Sequence, residues 1–439
     1  MPWSVRFELR QYLKGSLWVL PVLGLLLGVV LAQVALAVDD AVRLPTGWTY
    51  SAATASGVLT AIVGAMVALL GFVVTVGVLV VQQATSTLSP RYMRLWYRDR
   101  LQKVVLATFA GTLTFAFALL RRIGEDTVPD VGVTTAGVAV AASLGLLMVY
   151  LDRFTHDLRP VAVAALVSRS GQEVLARWTA EMCADGSAPR DGAAAAPVPG
   201  PTWSLVAQRT GVVQAVNLAA LVSAAEEHDC TIVLDRTVGD FVTTGTVLAQ
   251  VHGAGPPPAD HLRHQFAFGR ERTIEQDPAF AMRVLVDIAT RAVSPAINDP
   301  TTAVQVLDYV EDFLEVLART DLRSRCTLGR GGATRLVIPG PGWEEYLELA
   351  VTEVRDYGVT SVQVCRRLRA VLDRILVVVP DERRAAVREE LRRLDAAVAT
   401  AFPEPGGREP AAVGDRHGIG GRVDRPAGPA VARIAAARQ

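Results

Sequence analysis

Hydrophobic and polar positions divide this chain sharply. Residues 16–38, 57–81, 104–120 and 132–151 are apolar stretches without a single Asp, Glu, Lys, Arg or His, and the remainder mixes apolar and charged positions as a water-exposed protein does. Crossing roughly 30 Å of hydrocarbon at about 1.5 Å per residue takes about 20 residues, so each stretch suffices, the third being near the lower limit. Such segments must be helical, because an unpaired backbone group in lipid costs several kcal/mol. The pattern predicts a four-span transmembrane bundle over residues 1–155, followed by a soluble α+β domain.

Within the soluble part, residues 160–275 read as a β-rich module. Gly211-Val-Val-Gln-Ala-Val216 and the run from Val238 to Val251 have the length and turn punctuation of short strands, with a short helix over 218–228 between them. The second run resembles one half of a biotinyl/lipoyl-type barrel. The lysine that such a hairpin carries is absent, so the resemblance implies a structural β-module only. Residues 184–202 are small, polar and Pro-rich and read as a flexible insertion; 253–260 is a shorter loop.

Residues 276–402 read as a helical module. Asp277-Pro278 and Asp299-Pro300 each open a helix, because the carboxylate accepts from free first-turn amides and proline fits the first helical position. The expected helices are 278–293, 300–318, 343–357, 360–378 and 381–401, and the Gly-, Pro-, Ala- and Arg-rich tail 403–439 is expected to lack structure.

Charge gives the spans a direction. Arg6, Arg10 and Lys14 precede the first span, five basic residues between Arg91 and Lys103 fill the second connection, and Arg153 and Arg159 follow the fourth. The positive-inside rule then puts both termini in the cytoplasm, against the one dissenting pair Arg121 and Arg122, and the expected location is the cell inner membrane. Ala35-Leu36-Ala37 also resembles a signal-peptidase site, whose cleavage would leave the other spans oriented as before.

Net charge is zero, so the lipid bilayer and further copies of the chain are the expected partners, and nucleic acid is not. Of 44 basic residues only Lys14 and Lys103 are lysines, which excludes a phosphate-loop lysine, a Schiff base or a lipoyl lysine after residue 103. Four scattered cysteines without a CxxC pair fit reduced cytoplasmic thiols.

Candidate chemistry is sparse. Gly57, Gly64 and Gly71 recur every seven residues along the second span, with Ala61, Ala65 and Ala68 between them, so one helix face is small enough for close packing, within the bundle or between subunits, or for lining a pore. That helix is expected to run on past residue 81 before breaking at Pro90, and the basic, aromatic run 91–100 suits anionic headgroups. Spans without ionisable groups argue against a proton-driven pump. His261-x-x-His264, with His252 nearby, lacks a third ligand or an orienting partner, so no metal or other cofactor is expected. Arg283, Asp287, Arg291, Asn298 and Asp299 form a candidate polar junction where two helices meet, with helix capping and a structural ion pair as the simpler account. There is no nucleophile elbow, HExxH, GxGxxG or phosphate loop, and an enzyme is not expected.

Several stretches together resemble the bacterial family of uncharacterised membrane proteins called domain of unknown function 2254. They are Ser86-Thr-Leu-Ser-Pro-Arg91, Val238-Gly-Asp-Phe-Val242, Arg270-Glu-Arg-Thr-Ile-Glu-Gln-Asp277 and Val286-Asp-Ile-Ala-Thr-Arg-Ala-Val-Ser-Pro-Ala-Ile-Asn-Asp-Pro-Thr-Thr-Ala303, and the likeness covers roughly residues 5–400. It implies a membrane location and an N-terminal span bundle, with no established activity. The functional expectation is a channel-like or transport-related assembly organised by the cytoplasmic domain. The alternatives are a non-conducting scaffold or sensor and, third, a membrane enzyme.

Overall fold

The computed structural model describes residues 2–41, 49–87, 100–124, 127–157, 159–183, 202–253, 255–322, 325–328 and 333–418. The expected insertion at 184–202 lies outside these residues up to 201, as do most of the basic run 91–100 and the end of the tail.

The chain opens with α1 (Trp3–Gly15), a short helix ahead of the first apolar stretch. The four stretches then form α2 (Val19–Ala41), α3 (Ala52–Thr87), α4 (Arg100–Leu120) and α5 (Asp130–Asp157). All four are long and apolar enough to cross a membrane. As expected, α3 continues past residue 81, and its 36 residues extend about 54 Å at 1.5 Å per residue.

Ala32, Leu59, Met66, Phe115 and Leu119 fill one part of the bundle core; Val73, Val105, Phe109 and Tyr150 fill another. Their partly exposed neighbours Leu26, Val74, Leu79 and Met148 turn outward.

The tightest seam joins α2 to α4. A Cβ at Gly24 would stand 2.2 Å from the Ala107 carbonyl oxygen, and one at Gly28 would stand 2.3 Å from that of Gly111. Only glycine admits this approach, and it brings the Thr114 hydroxyl within 3.0 Å of the Leu25 carbonyl, to which it donates. The seam expected at Gly57, Gly64 and Gly71 is not used inside the bundle: a Cβ at any of the three would meet nothing within 4 Å.

Acidic residues organise one end of the bundle. Asp39 accepts from the backbone amides of Val131 and Gly132, in the first turn of α5, at 2.8 and 3.3 Å. A carboxylate there meets both free amides and the positive end of the helix dipole. Asp130 in turn accepts from the Tyr50 amide at 2.8 Å.

Beyond α5 comes α6 (Pro160–Cys183), then β1 (Thr202–Val206), β2 (Gly211–Val216), α7 (Leu218–Glu227), β3 (Cys230–Leu234), β4 (Phe241–Val242), β5 (Val247–Gly253), α8 (Ala259–Arg263) and β6 (Phe266–Gly269). The helices α9 (Pro278–Ala292) and α10 (Pro300–Arg319) follow, then β7 (Arg325–Leu328), β8 (Thr334–Ile338), α11 (Trp343–Gly358), α12 (Val362–Val378), α13 (Arg384–Ala401) and α14 (Pro405–Ala411). Asp277 accepts from the Phe280 amide at 2.9 Å and Asp299 from that of Thr302 at 3.0 Å, the two caps read from sequence.

The strands make a five-stranded sheet, β1-β5-β3-β8-β7, and a three-stranded one, β4-β2-β6. They enclose Val213, Ile232, Leu248, Phe266 and Leu336.

The expected boundary at 275/276 is crossed in both directions. Strand β8 comes from the helical half yet pairs parallel with β3, Ile232 opposite Leu336. Helix α6 comes from the strand-rich half yet buries Val163, Val167 and Leu175 in the helical core with Leu285, Leu307 and Phe313. Gly171 makes that packing close, since a Cβ there would lie 2.7 Å from Ala281 and Phe313.

The tail also differs from expectation up to residue 418. Ala411 is buried, Asp415 faces Arg366 across 3.9 Å, and the Arg366 Nε donates to the Val413 carbonyl at 3.2 Å. A few anchoring side chains outweigh a composition that is otherwise poor for packing.

Candidate functional site

A buried polar junction lies where the strands meet the helices. The turn before β4 is closed by its own side chain, the Thr237 amide donating to Asp240 Oδ2 at 2.8 Å. It is docked by the Gly239 amide on the Val213 carbonyl, also at 2.8 Å. Gly239 has a φ of +98°, and a Cβ there would lie 2.5 Å from Arg272 and 2.6 Å from Asp277. Glycine is required twice over, by backbone conformation and by space.

Beneath that turn sits Asp277, 4% exposed. Its Oδ2 takes the Arg272 guanidinium at 2.7 Å, its Oδ1 takes the Phe280 amide, and Arg272 lies 5.7 Å over the Phe280 ring. Burial pushes the Asp277 carboxyl above its ordinary value, outweighing the opposing pull of Arg272. Beside it the Gln276 side-chain oxygen accepts from the Val216 amide at 2.9 Å.

A cleft opens next to this junction, lined by Trp178, Val216, Leu218, Leu234, Thr237, Val238, Gln276 and Ile338 and measuring about 360 Å³ with its open mouth. Its walls are almost wholly apolar. Both oxygens of Asp277 are engaged, so no free base faces it. The junction holds the turn before β4 against the start of α9.

The five residues of the expected polar junction are only partly brought together. Arg283 donates to Asp287 Oδ1 at 2.7 Å and, through both terminal nitrogens, to the Glu353 carboxylate of α11, which sequence reading missed. Glu353 foremost, with Asp287 beside it, holds the guanidinium more firmly protonated than usual. Arg291 stands half-buried farther along α9.

Asn298 and Asp299 belong to the turn instead. Asn298 is exposed with a φ of +50°, and Asp299 spends both oxygens on Thr302, at 3.0 Å to its amide and 2.5 Å to its hydroxyl. The result is a clamp between α9 and α11 and, separately, a cap. His252 contacts Thr202 at 3.1 Å, and no group of three His, Cys, Asp or Glu suited to a metal occurs among the described residues.

The family described as "Predicted membrane protein (DUF2254)" matches residues 14–374. The chain belongs to this family. Two of the four stretches that carry the resemblance, Val238–Val242 and Arg270–Asp277, meet at the Gly239–Arg272–Asp277 junction, and a third, Val286–Ala303, runs from the end of α9, which Asp277 caps, into the start of α10. Uncharacterized proteins of Mycobacterium bovis and Mycobacterium tuberculosis are each 28% identical over 424 residues, covering 92% of this chain and 80% of the relative. No solved structure matches.

Proposed function

We propose that this protein spans the bacterial cytoplasmic membrane four times, with both termini in the cytoplasm, and that copies assemble through α3 into a channel-like or transport-related unit organised by the soluble domain. The outward apolar surface of α2, α3 and α5 supports insertion, since lipid is the medium in which such a surface carries no penalty. One observation carries the assembly. The chain already uses a small-residue seam at Gly24, Gly28 and Gly111, whereas the equally small face at Gly57, Gly64 and Gly71 is open in the protomer. A second copy is the partner that such a face fits best.

Purified protein in liposomes tests this reading through ion and solute flux, with mass measurement of the detergent-solubilised species. An oligomer whose flux is lost in Gly64→Leu is the expected result. A monomer that passes nothing would overturn it and favour the second reading, a non-conducting scaffold or sensor. The second reading draws support from the bundle core, which Leu59, Met66 and Phe115 fill with apolar side chains.

A further inference from the structure

We infer that α1 is a lipid-binding helix lying along the cytoplasmic surface of the membrane, where it takes anionic headgroups; this rests on the membrane reading above. Helix α1 is not the start of the first span. Ser16 after it is extended, with φ −80° and ψ 130°, so the chain turns before entering α2.

One side of α1 is held against the soluble domain. The Ser4 amide donates to the His264 carbonyl at 3.2 Å, Glu8 pairs with Arg209, and Lys14 stands 3.7 Å from Glu275. The buried Lys103 of α4 donates to the Lys14 carbonyl, where a cation meets the negative end of the helix. Both lysines of the chain thus sit at one joint between the apolar bundle, α1 and the soluble domain.

The other side is apolar and open. At about 100° per residue, Val5, Leu9, Tyr12 and Leu13 fall within one arc of roughly 100°. They are 39, 47, 57 and 44% exposed. Arg6 and Arg10, both exposed, lie beyond one edge of this arc, and Glu8, neutralised by Arg209, beyond the other.

An apolar stripe edged by arginine is the pattern of a helix seated at the boundary of headgroups and acyl chains. Two features favour lipid over a second copy. The stripe leads within three residues into α2, with the exposed Trp18 ring at the entry, and the bordering charge complements anionic lipid.

The test uses the full chain in nanodiscs, its four cysteines replaced by alanine, with a single bimane-labelled cysteine at Leu9 or Leu13. A second site, Val74 on the outward face of α3, reports on the span itself. Discs of phosphatidylcholine, alone or mixed with phosphatidylglycerol, carry lipids with a nitroxide near the headgroup or deep in the acyl chain. The Leu9 and Leu13 probes should be quenched by the shallow nitroxide, more strongly with phosphatidylglycerol, and Arg6→Glu with Arg10→Glu should remove the difference.

Unquenched probes on α1 beside a quenched Val74 would overturn this inference alone. Equal quenching in both lipids, unmoved by charge reversal, would overturn the anionic preference, and disulfide formation between copies of the unlabelled Leu9→Cys protein under an added oxidant would show a second chain on the stripe instead. An unquenched Val74 probe would sink the membrane reading, and this inference with it.

Discussion

Substituting Gly28 should damage the protomer, whereas the same change at Gly64 should not. A Cβ at Gly28 lies 2.2 Å from the Thr114 hydroxyl and 2.3 Å from the Gly111 carbonyl oxygen, where ordinary contact begins at 3.4 Å. The hydroxyl can rotate away, but the carbonyl is backbone, so α2 and α4 must separate by about 1 Å. Overpacking of this kind costs about 1–3 kcal/mol, and losing the Thr114–Leu25 hydrogen bond adds roughly 0.6 kcal/mol. Set against a helix-propensity gain of up to about 1 kcal/mol, Gly28→Ala is therefore expected to cost about 1–3 kcal/mol. At Gly64 the added methyl meets nothing, and alanine's better helix propensity gives a gain of up to about 1 kcal/mol. Equilibrium unfolding at a detergent dilution that separates the copies, followed by helical circular dichroism in a graded SDS titration, measures both. A neutral Gly28→Ala, or a Gly64→Ala that destabilises the monomer, would refute this account of the two seams.

Three further outcomes concern the soluble domain. Glu390 is buried and accepts from Arg355 at 2.7 Å and Arg393 at 2.8 Å, so Glu390→Ala should cost about 3 kcal/mol in chemical denaturation, and Arg355→Met with Glu390→Leu should recover most of it. Asp299→Ala should cost about 1 kcal/mol in the same assay through loss of the α10 cap. Asp277 has its folded-state pKa raised above 3.8, so the favourable contribution of its protonation is present below that value and is lost as pH rises through the folded pKa. Melting of the parent protein and Asp277→Asn should accordingly show the parent losing ground as pH rises above 3.8; a constant difference would contradict the burial argument.

Much of this was legible because it is local. Long uncharged stretches admit one structure in lipid, and Asp-Pro pairs cap helices whatever lies around them. The seam in α3 was left open between bundle, subunit and pore for a related reason: a small-residue stripe says that a neighbour can come close, and nothing in α3 alone says which neighbour does. Gly24-x-x-x-Gly28 carried the same information and found its neighbour in Ala107 and Gly111 of α4. Glu353 was missed because its partner Arg283 sits on a helix far away in sequence. The buried Asp277 was read only as a cap, since neither its depth nor the docking of Gly239 upon it has a local signature.

The pairing of Ile232 with Leu336 sets a timetable for the chain's synthesis. At roughly 5–20 residues per second, the ribosome delivers β8 about 5–20 s after β3 has been made. Through that interval one edge of β3 stays unpaired, although α9 and α10, which cover α6, are made before β8. The apolar bundle has by then been fully translated, so the later half waits tethered to it. Its β3 edge would be a binding site for chaperones during that wait.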